Sequence, residues 1–172
     1  MFLNLASSLP DVMRVRVLRN SCRSYLTNYK DHIGPLQQIL WYFRRYQPAR
    51  KSGQYRLYLL RDDEGVVVAY GALSLEGDQL FVTECVGETH RRKGYASAIL
   101  RELTHVALAE KRDLLADIWA TNKKSIALHE RSGFQLISVY TRNGEEVRRY
   151  LLPGTRTDRV NNIVRDRSCA DA

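Results

Sequence analysis

Apolar positions along this chain alternate with polar ones in some stretches and recur every third or fourth residue in others, and the change of period marks its elements. Over residues 12–18, Met13, Val15 and Val17 alternate with Arg14 and Arg16, so a first strand with one wet face is expected there. Asn20 or Ser21 then caps a short helix with Cys22, Tyr25 and Leu26 on one side. Gly34-Pro35 punctuates the chain, and Leu36, Ile39, Leu40 and Phe43 form a second helical stripe expected to stop before Pro48. Strands are expected over residues 54–61 and 66–75, joined by the turn Asp62-Asp63-Glu64-Gly65. Glu76-Gly77-Asp78 turns the chain into an apolar strand that ends at Val86. Beyond it, Ala96, Ile99, Leu100, Leu103, Val106 and Ala107 share one helix face. A short strand over 114–119 completes a parallel β-α-β unit. A helix over 122–132 follows, then a hairpin of residues 134–141 and 146–152 closed by Asn143-Gly144. These elements form a single domain over residues 1–152, with 153–172 as a polar tail.

The chemistry concentrates where the central strand meets the long helix. Between them lie Arg91, Arg92, Lys93, Gly94, Tyr95 and Ala96. A helix that opens there leaves its first N–H groups unpaired beside the turn, and an anion gains both their hydrogen bonds and the positive end of the helix dipole. Gly94 and Ala96 are small enough for a phosphate to approach the backbone, and the three cations add local neutralisation.

Composition narrows the classes. With 44% hydrophobic and 27% charged residues, the chain of 172 residues has the make-up of a soluble globular protein. No apolar run approaches the ~20 residues of a membrane span, and the opening residues lack an export signal's pattern, so a cytoplasmic location is expected. Cys22, Cys85 and Cys169 are odd in number and widely spaced, which points to reduced thiols and neither a disulfide framework nor a metal site. The net charge of +8 suits any anionic partner, RNA included, without choosing one.

The run Arg91-x-x-Gly94-x-Ala96 resembles the coenzyme A signature of the GCN5-related N-acetyltransferases, R/Q-x-x-G-x-G/A. A second segment, Asn122-x-x-Ser125-Ile-Ala-Leu-His129-Glu-Arg-Ser-Gly133-Phe134, resembles the family's downstream N-x-x-A/S-x-x-x-Y/H-E-x-x-G-F. Both lie in their expected structural slots within the element order β-α-α-β-β-β-α-β-α-β-β, and the resemblance covers residues 12–152. It implies an α/β (α+β) fold with a mixed central sheet of about six to seven strands flanked by about four helices.

The resemblance also implies acetyl-CoA as acyl donor, no metal, and direct attack by a primary amine on the thioester. Residues 91–96 would hold the phosphates, backbone groups around Cys85 and Val86 the pantetheine arm, and Asn122 and Ser125 further parts of the cofactor. Ser125 can equally serve as a helix cap. Glu84 is the candidate base, or a strand carboxylate paired with an arginine. His129 occupies the slot where many members carry a Tyr that protonates the leaving thiolate. It is the candidate acid, or a helix histidine bonded to a carbonyl. Tyr140 is the fallback acid, and Glu88 a weaker base.

The acceptor side would involve Arg23, Tyr25, Tyr29, Gln37, Trp41 and Tyr140, with a small molecule, an amino sugar or a protein as the amine. An RNA-borne amine such as aminoacyl-tRNA is an alternative, as is a non-catalytic adaptor binding CoA or nucleic acid. A monomer or homodimer is expected.

Overall fold

The computed structural model describes residues 1–27 and 30–154. A seven-stranded sheet runs β1 (Phe2–Leu5), β2 (Tyr55–Arg61), β3 (Val67–Glu76), β4 (Gln79–Val86), β5 (Leu114–Trp119), β7 (Glu145–Leu152), β6 (Gln135–Arg142) in spatial order. Every neighbouring pair is antiparallel except β4–β5. Helix α1 (Leu9–Cys22) and the helical body α2 (Pro35–Trp41) to α3 (Gln47–Lys51) cover one face. Helices α4 (Tyr95–Ala109) and α5 (Lys123–Arg131) cover the other.

Three expectations are corrected. Residues 12–18 are helical, lying within α1, and the strand expected there is replaced by β1 nearer the start. Ser8 and Asp11 form a reciprocal capping box with Pro10 in the first turn, so helix entry is fixed before the alternating stretch begins. The second helix does not stop before Pro48. A five-residue π turn, Tyr42–Tyr46, precedes it, with the Gln47 N–H reaching back to the Tyr42 carbonyl, and Pro48 falls in the first turn of α3.

The inward face of that body differs as well. Gln38, Tyr42 and Tyr46 are buried, while Leu36, Leu40 and Phe43 are exposed. Tyr46 stacks on Trp41 and donates its hydroxyl to the Ala6 carbonyl.

The third correction concerns the cysteines. Cys22 at the end of α1 and Cys85 in β4 are joined by a disulfide, with Cα atoms 6.5 Å apart. Folding residues 12–22 as a helix is what brings Cys22 onto β4. Cys169 lies outside the described residues, as does the tail from residue 155 onward. The start of the tail is packed: Gly154 donates to Asp113, and a Cβ there would fall 2.3 Å from the Arg112 backbone.

The feature that positions the site is a divergence of β4 from β5. Their register holds only at Leu80–Leu114 and Phe81–Leu115, and the strands then separate.

Candidate active site

The gap opened by that divergence belongs to a cavity of about 680 Å³ that reaches from α4 and α5 through the sheet to α1 and α2. Strand geometry decides which backbone groups face it. The Gly87 N–H bonds to Val68 on the β3 side, and the Leu80 N–H bonds to Asp113 on the β5 side. Backbone direction alternates along a strand, so Val82, Glu84 and Val86 turn their N–H and C=O groups toward the gap. Cys85 turns its own toward Tyr70 on β3, and its side chain is spent on the disulfide. Of the two backbone positions expected to hold an extended arm, Val86 is therefore suitably directed and Cys85 is not. On the facing strand, the Thr27 hydroxyl donates to the Asp117 carbonyl, closing the far end of the gap.

At the end of the cavity beside α4, the helix opens without a side-chain cap, and its first intrahelical bond is made by the Ala98 N–H to Gly94. The earlier amides are the orphan donors that attract an anion. Gly94 has φ +80°, with open space where a Cβ would stand. Its glycine therefore answers first to backbone conformation. Arg91 and Ala96 line the cavity, and Arg91 lies over the Tyr25 ring at 5.2 Å. Arg92 and Lys93 are exposed beside the helix opening, and Tyr95 packs edge-on against His90 instead of facing the cavity.

On α5, Asn122 caps the helix by accepting the Ser125 N–H at 3.2 Å, which commits its carbonyl oxygen and leaves its amide donors. Both residues border the cavity.

His129 points from α5 to the floor of the gap, 1% exposed and edge-on to Phe134. Its Nδ1 lies 2.9 Å from the Ser125 carbonyl, which can only accept, so Nδ1 carries the proton. The buried Nε2 atom has no hydrogen-bond partner among the described residues and faces Glu84 Oε2 at 3.7 Å. The Glu84 side chain is 13% exposed, and its burial raises the carboxyl above the ordinary range, with His129 partly opposing the shift. Glu84 is thus beside a histidine, not an arginine. Glu88 is exposed in the short turn after β4.

Tyr140 stands outside this arrangement. Its hydroxyl donates to Asp117, which also receives Arg149 at 2.7 and 2.9 Å. Burial and that bond raise the Tyr140 hydroxyl above its usual range. Its proton is committed within β5–β7–β6, which removes the fallback acid.

Of the acceptor-side residues, Tyr25, Gln37 and Trp41 line the cavity, Arg23 and Tyr140 do not, and Tyr29 lies outside the described residues. The pattern of the sequence missed Arg16, Arg19, Gln38, Tyr55 and Tyr70, all cavity-lining. The helical set Val12, Val15, Arg19 and Cys22 was the signal that could have found one of them, Arg19.

A family model described as the acetyltransferase (GNAT) family matches residues 18–134. Among proteins with curated functions none matches the sequence. Many solved structures share the fold. An N-acetyltransferase from Staphylococcus aureus is 19% identical, with 90% of this chain and 100% of that one covered at a TM-score of 0.75. A GNAT superfamily phosphinothricin acetyltransferase from Sinorhizobium meliloti, in complex with acetyl-CoA, is 21% identical over 92% and 93% at 0.73. The spermidine N-acetyltransferase from Vibrio cholerae, in complex with CoA and spermine, is 16% identical over 88% and 95% at 0.76. With the family model spanning most of the domain, from the end of α1 through Phe134, the chain belongs to the GNAT acetyltransferase family.

Proposed function

We propose that the protein is an N-acetyltransferase that uses acetyl-CoA to acetylate a primary amine by direct attack. The observation that carries the reading is the continuity of one cavity from Arg91 and Ala96, through the β4–β5 gap, to the Glu84–His129 pair. Solved relatives hold acetyl-CoA or CoA, and one acts on a polyamine, which supports the donor and the amine class.

The donor supplies an activated acyl carbon; the protein's residues bind, orient and move protons. The amides opening α4, with Arg91, suit a pyrophosphate, and the gap-facing groups of Val82, Glu84 and Val86 suit an extended amide-bearing arm. Glu84, desolvated and adjacent to the gap, takes the proton released by the attacking amine. His129 holds its proton on Nδ1, so Nε2 can accept a second one from Glu84 and pass it to the departing thiolate. The pair gains one proton and gives one up, and finishes as it began.

The test is thermal unfolding with and without acetyl-CoA, beside the same titration on Gly94→Glu, followed by product analysis with a panel of amines. Saturation at 100 times the dissociation constant adds about 2.7 kcal/mol in the wild type. The variant, with a carboxylate at the anion site, gains little. An acetylated product stable to hydroxylamine marks an amide. No stabilisation by acetyl-CoA, or a hydroxylamine-labile ester as product, overturns the reading.

A further inference from the structure

The cavity is electrically lopsided beyond what acetyl transfer requires. Its α1 wall carries two guanidinium groups one helical turn apart, Arg16 and Arg19. Arg19 stands in the buried stripe with Val12, Val15 and Cys22 and is only 8% exposed. Such positions normally hold apolar residues, since burying a cation is costly. Both groups are fixed by one segment. Arg16 Nη1 donates to the Ile33 carbonyl at 3.0 Å, and Arg19 Nη1 donates to the Asp31 carbonyl. Asn20 clamps that segment through both the N–H and the C=O of Ile33.

The anchoring uses only part of what Arg16 offers. Its Nε–H is buried without a hydrogen-bond partner, and no carboxylate lies within ion-pair distance of it among the described residues. The acids bordering the cavity are Glu84 and Asp117, and Asp117 is already held by Arg149. Gln38, 4% exposed, adds a buried amide to the same wall. One end therefore suits an oxyanion, while Glu84, across the gap, suits the amine.

We propose that the α1–α2 end is an oxyanion subsite, with Arg16 its specificity-determining residue, and that the acceptor carries its primary amine and a carboxylate in one small molecule. This rests on the acetyl-transfer reading of the same site. A guanidinium fork oriented by carbonyls meets a carboxylate with charge-assisted bonds and little loss of side-chain freedom. Seated there, the carboxylate directs the amine across the cavity toward Glu84. A polycation meets repulsion at the same wall.

The experiment titrates CoA-saturated protein calorimetrically with the twenty L-amino acids, their carboxamides, the corresponding decarboxylated amines and matched aminophosphonates. At least one amino acid binds, its carboxamide at least tenfold more weakly. The same amino acid releases CoA thiol from acetyl-CoA. The aminophosphonate arm separates a carboxylate from a phosphonate source of the anion: tighter binding of the aminophosphonate overturns the carboxylate assignment. Arg16→Gln weakens amino acid binding tenfold or more, leaves carboxamide binding within twofold, and keeps stabilisation by acetyl-CoA as proof of folding. Arg16→Lys recovers part of the loss. Carboxamides or diamines binding as well as amino acids, or no amino acid binding, overturns the subsite even while acetyl-CoA stabilises the protein. Failure of acetyl-CoA to stabilise the wild type sinks the underlying reading instead.

Discussion

His129 Nε2 lies 3.7 Å from Glu84 Oε2 in a part of the protein where burial holds the Glu84 carboxyl above its ordinary range. The direction of that shift fixes two outcomes. A raised carboxyl ionises later, so kcat/KM rises with pH through a limb placed above the usual glutamate range. Glu84→Gln removes the limb and lowers the rate about 100-fold. The folded state also binds this proton more tightly than the unfolded chain, so Glu84 favours folding below its unfolded pKa and costs stability as pH rises through its folded pKa. Denaturant titrations should therefore find Glu84→Gln more stable than wild type at neutral pH, with the gain vanishing in acid. A variant as active as wild type rules out the base.

His129→Ala lowers kcat about tenfold or more while stabilisation by acetyl-CoA survives, because its loss removes the route to the thiolate and leaves the α4 opening intact. Single-turnover rates with a better leaving thiol should be less affected. Equal losses for both thioesters would assign His129 a packing role against Phe134.

Asp117 behaves in the opposite sense. Burial opposes its charge, but hydrogen bonds from Arg149 and Tyr140 outweigh that and hold the carboxyl below its ordinary range. Its contribution is present above the unfolded pKa and lost as pH falls through the folded one. Its side chain is 1% exposed, so Asp117→Ala takes away the carboxylate that holds Arg149 and Tyr140 and costs about 3 kcal/mol at neutral pH. The deficit shrinks in acid, which urea melts at stepped pH would show.

The Cys22–Cys85 bond closes a sequence separation of 63 residues. Denatured protein prepared without reductant should titrate for one free thiol, that of Cys169, and for three after reduction. Loop-closure entropy gives the bond about 4 kcal/mol. A Cys22→Ser, Cys85→Ser protein that melts where wild type does would show that the pair adds nothing to stability.

Two glycines separate space from conformation. A Cβ at Gly71 would run into Leu103 Cδ1, the tip of a buried side chain that α4 lowers onto β3, so Gly71→Val overpacks the core by about 2 kcal/mol. At Gly94 there is room but a φ of +80°, so Gly94→Ala costs about 1 kcal/mol through the backbone alone. Chemical denaturation of the two variants should rank them in that order.

The strands from β2 onward were readable because alternation and turn residues agreed; β5 falls at 114–119 as expected. Helix α1 was not, because Met13, Val15 and Val17 alternating with Arg14 and Arg16 imitates a strand, while the capping box at Ser8 and Asp11 carried the better signal. The buried face of α2 misled for another reason. Its aliphatic stripe faces outward, and stacking among Trp41, Tyr42 and Tyr46 decides the orientation. Motif residues Arg91, Ala96, Asn122, Ser125 and His129 meet at one cavity because each sits at an element's opening or on its inner face. The disulfide and the paired arginines were hidden, since each depends on which segment folds over β4, a matter of tertiary packing.

The early parting of β4 and β5 has a mechanical consequence. Strands β1–β4 and β5–β7 form two leaves whose backbones meet, among the described residues, at the spine marked by Leu80–Leu114 and Phe81–Leu115. Beyond that spine, among the described residues, no strand pairing joins the leaves, and side-chain packing, the Thr27 crossing and the helices on the two faces link them. Whatever lies between them works as a keystone, turning two ribbons sharing a narrow seam into one continuous sheet. Occupancy of the gap should therefore slow amide exchange on the far sides of both leaves, well away from any atom it touches.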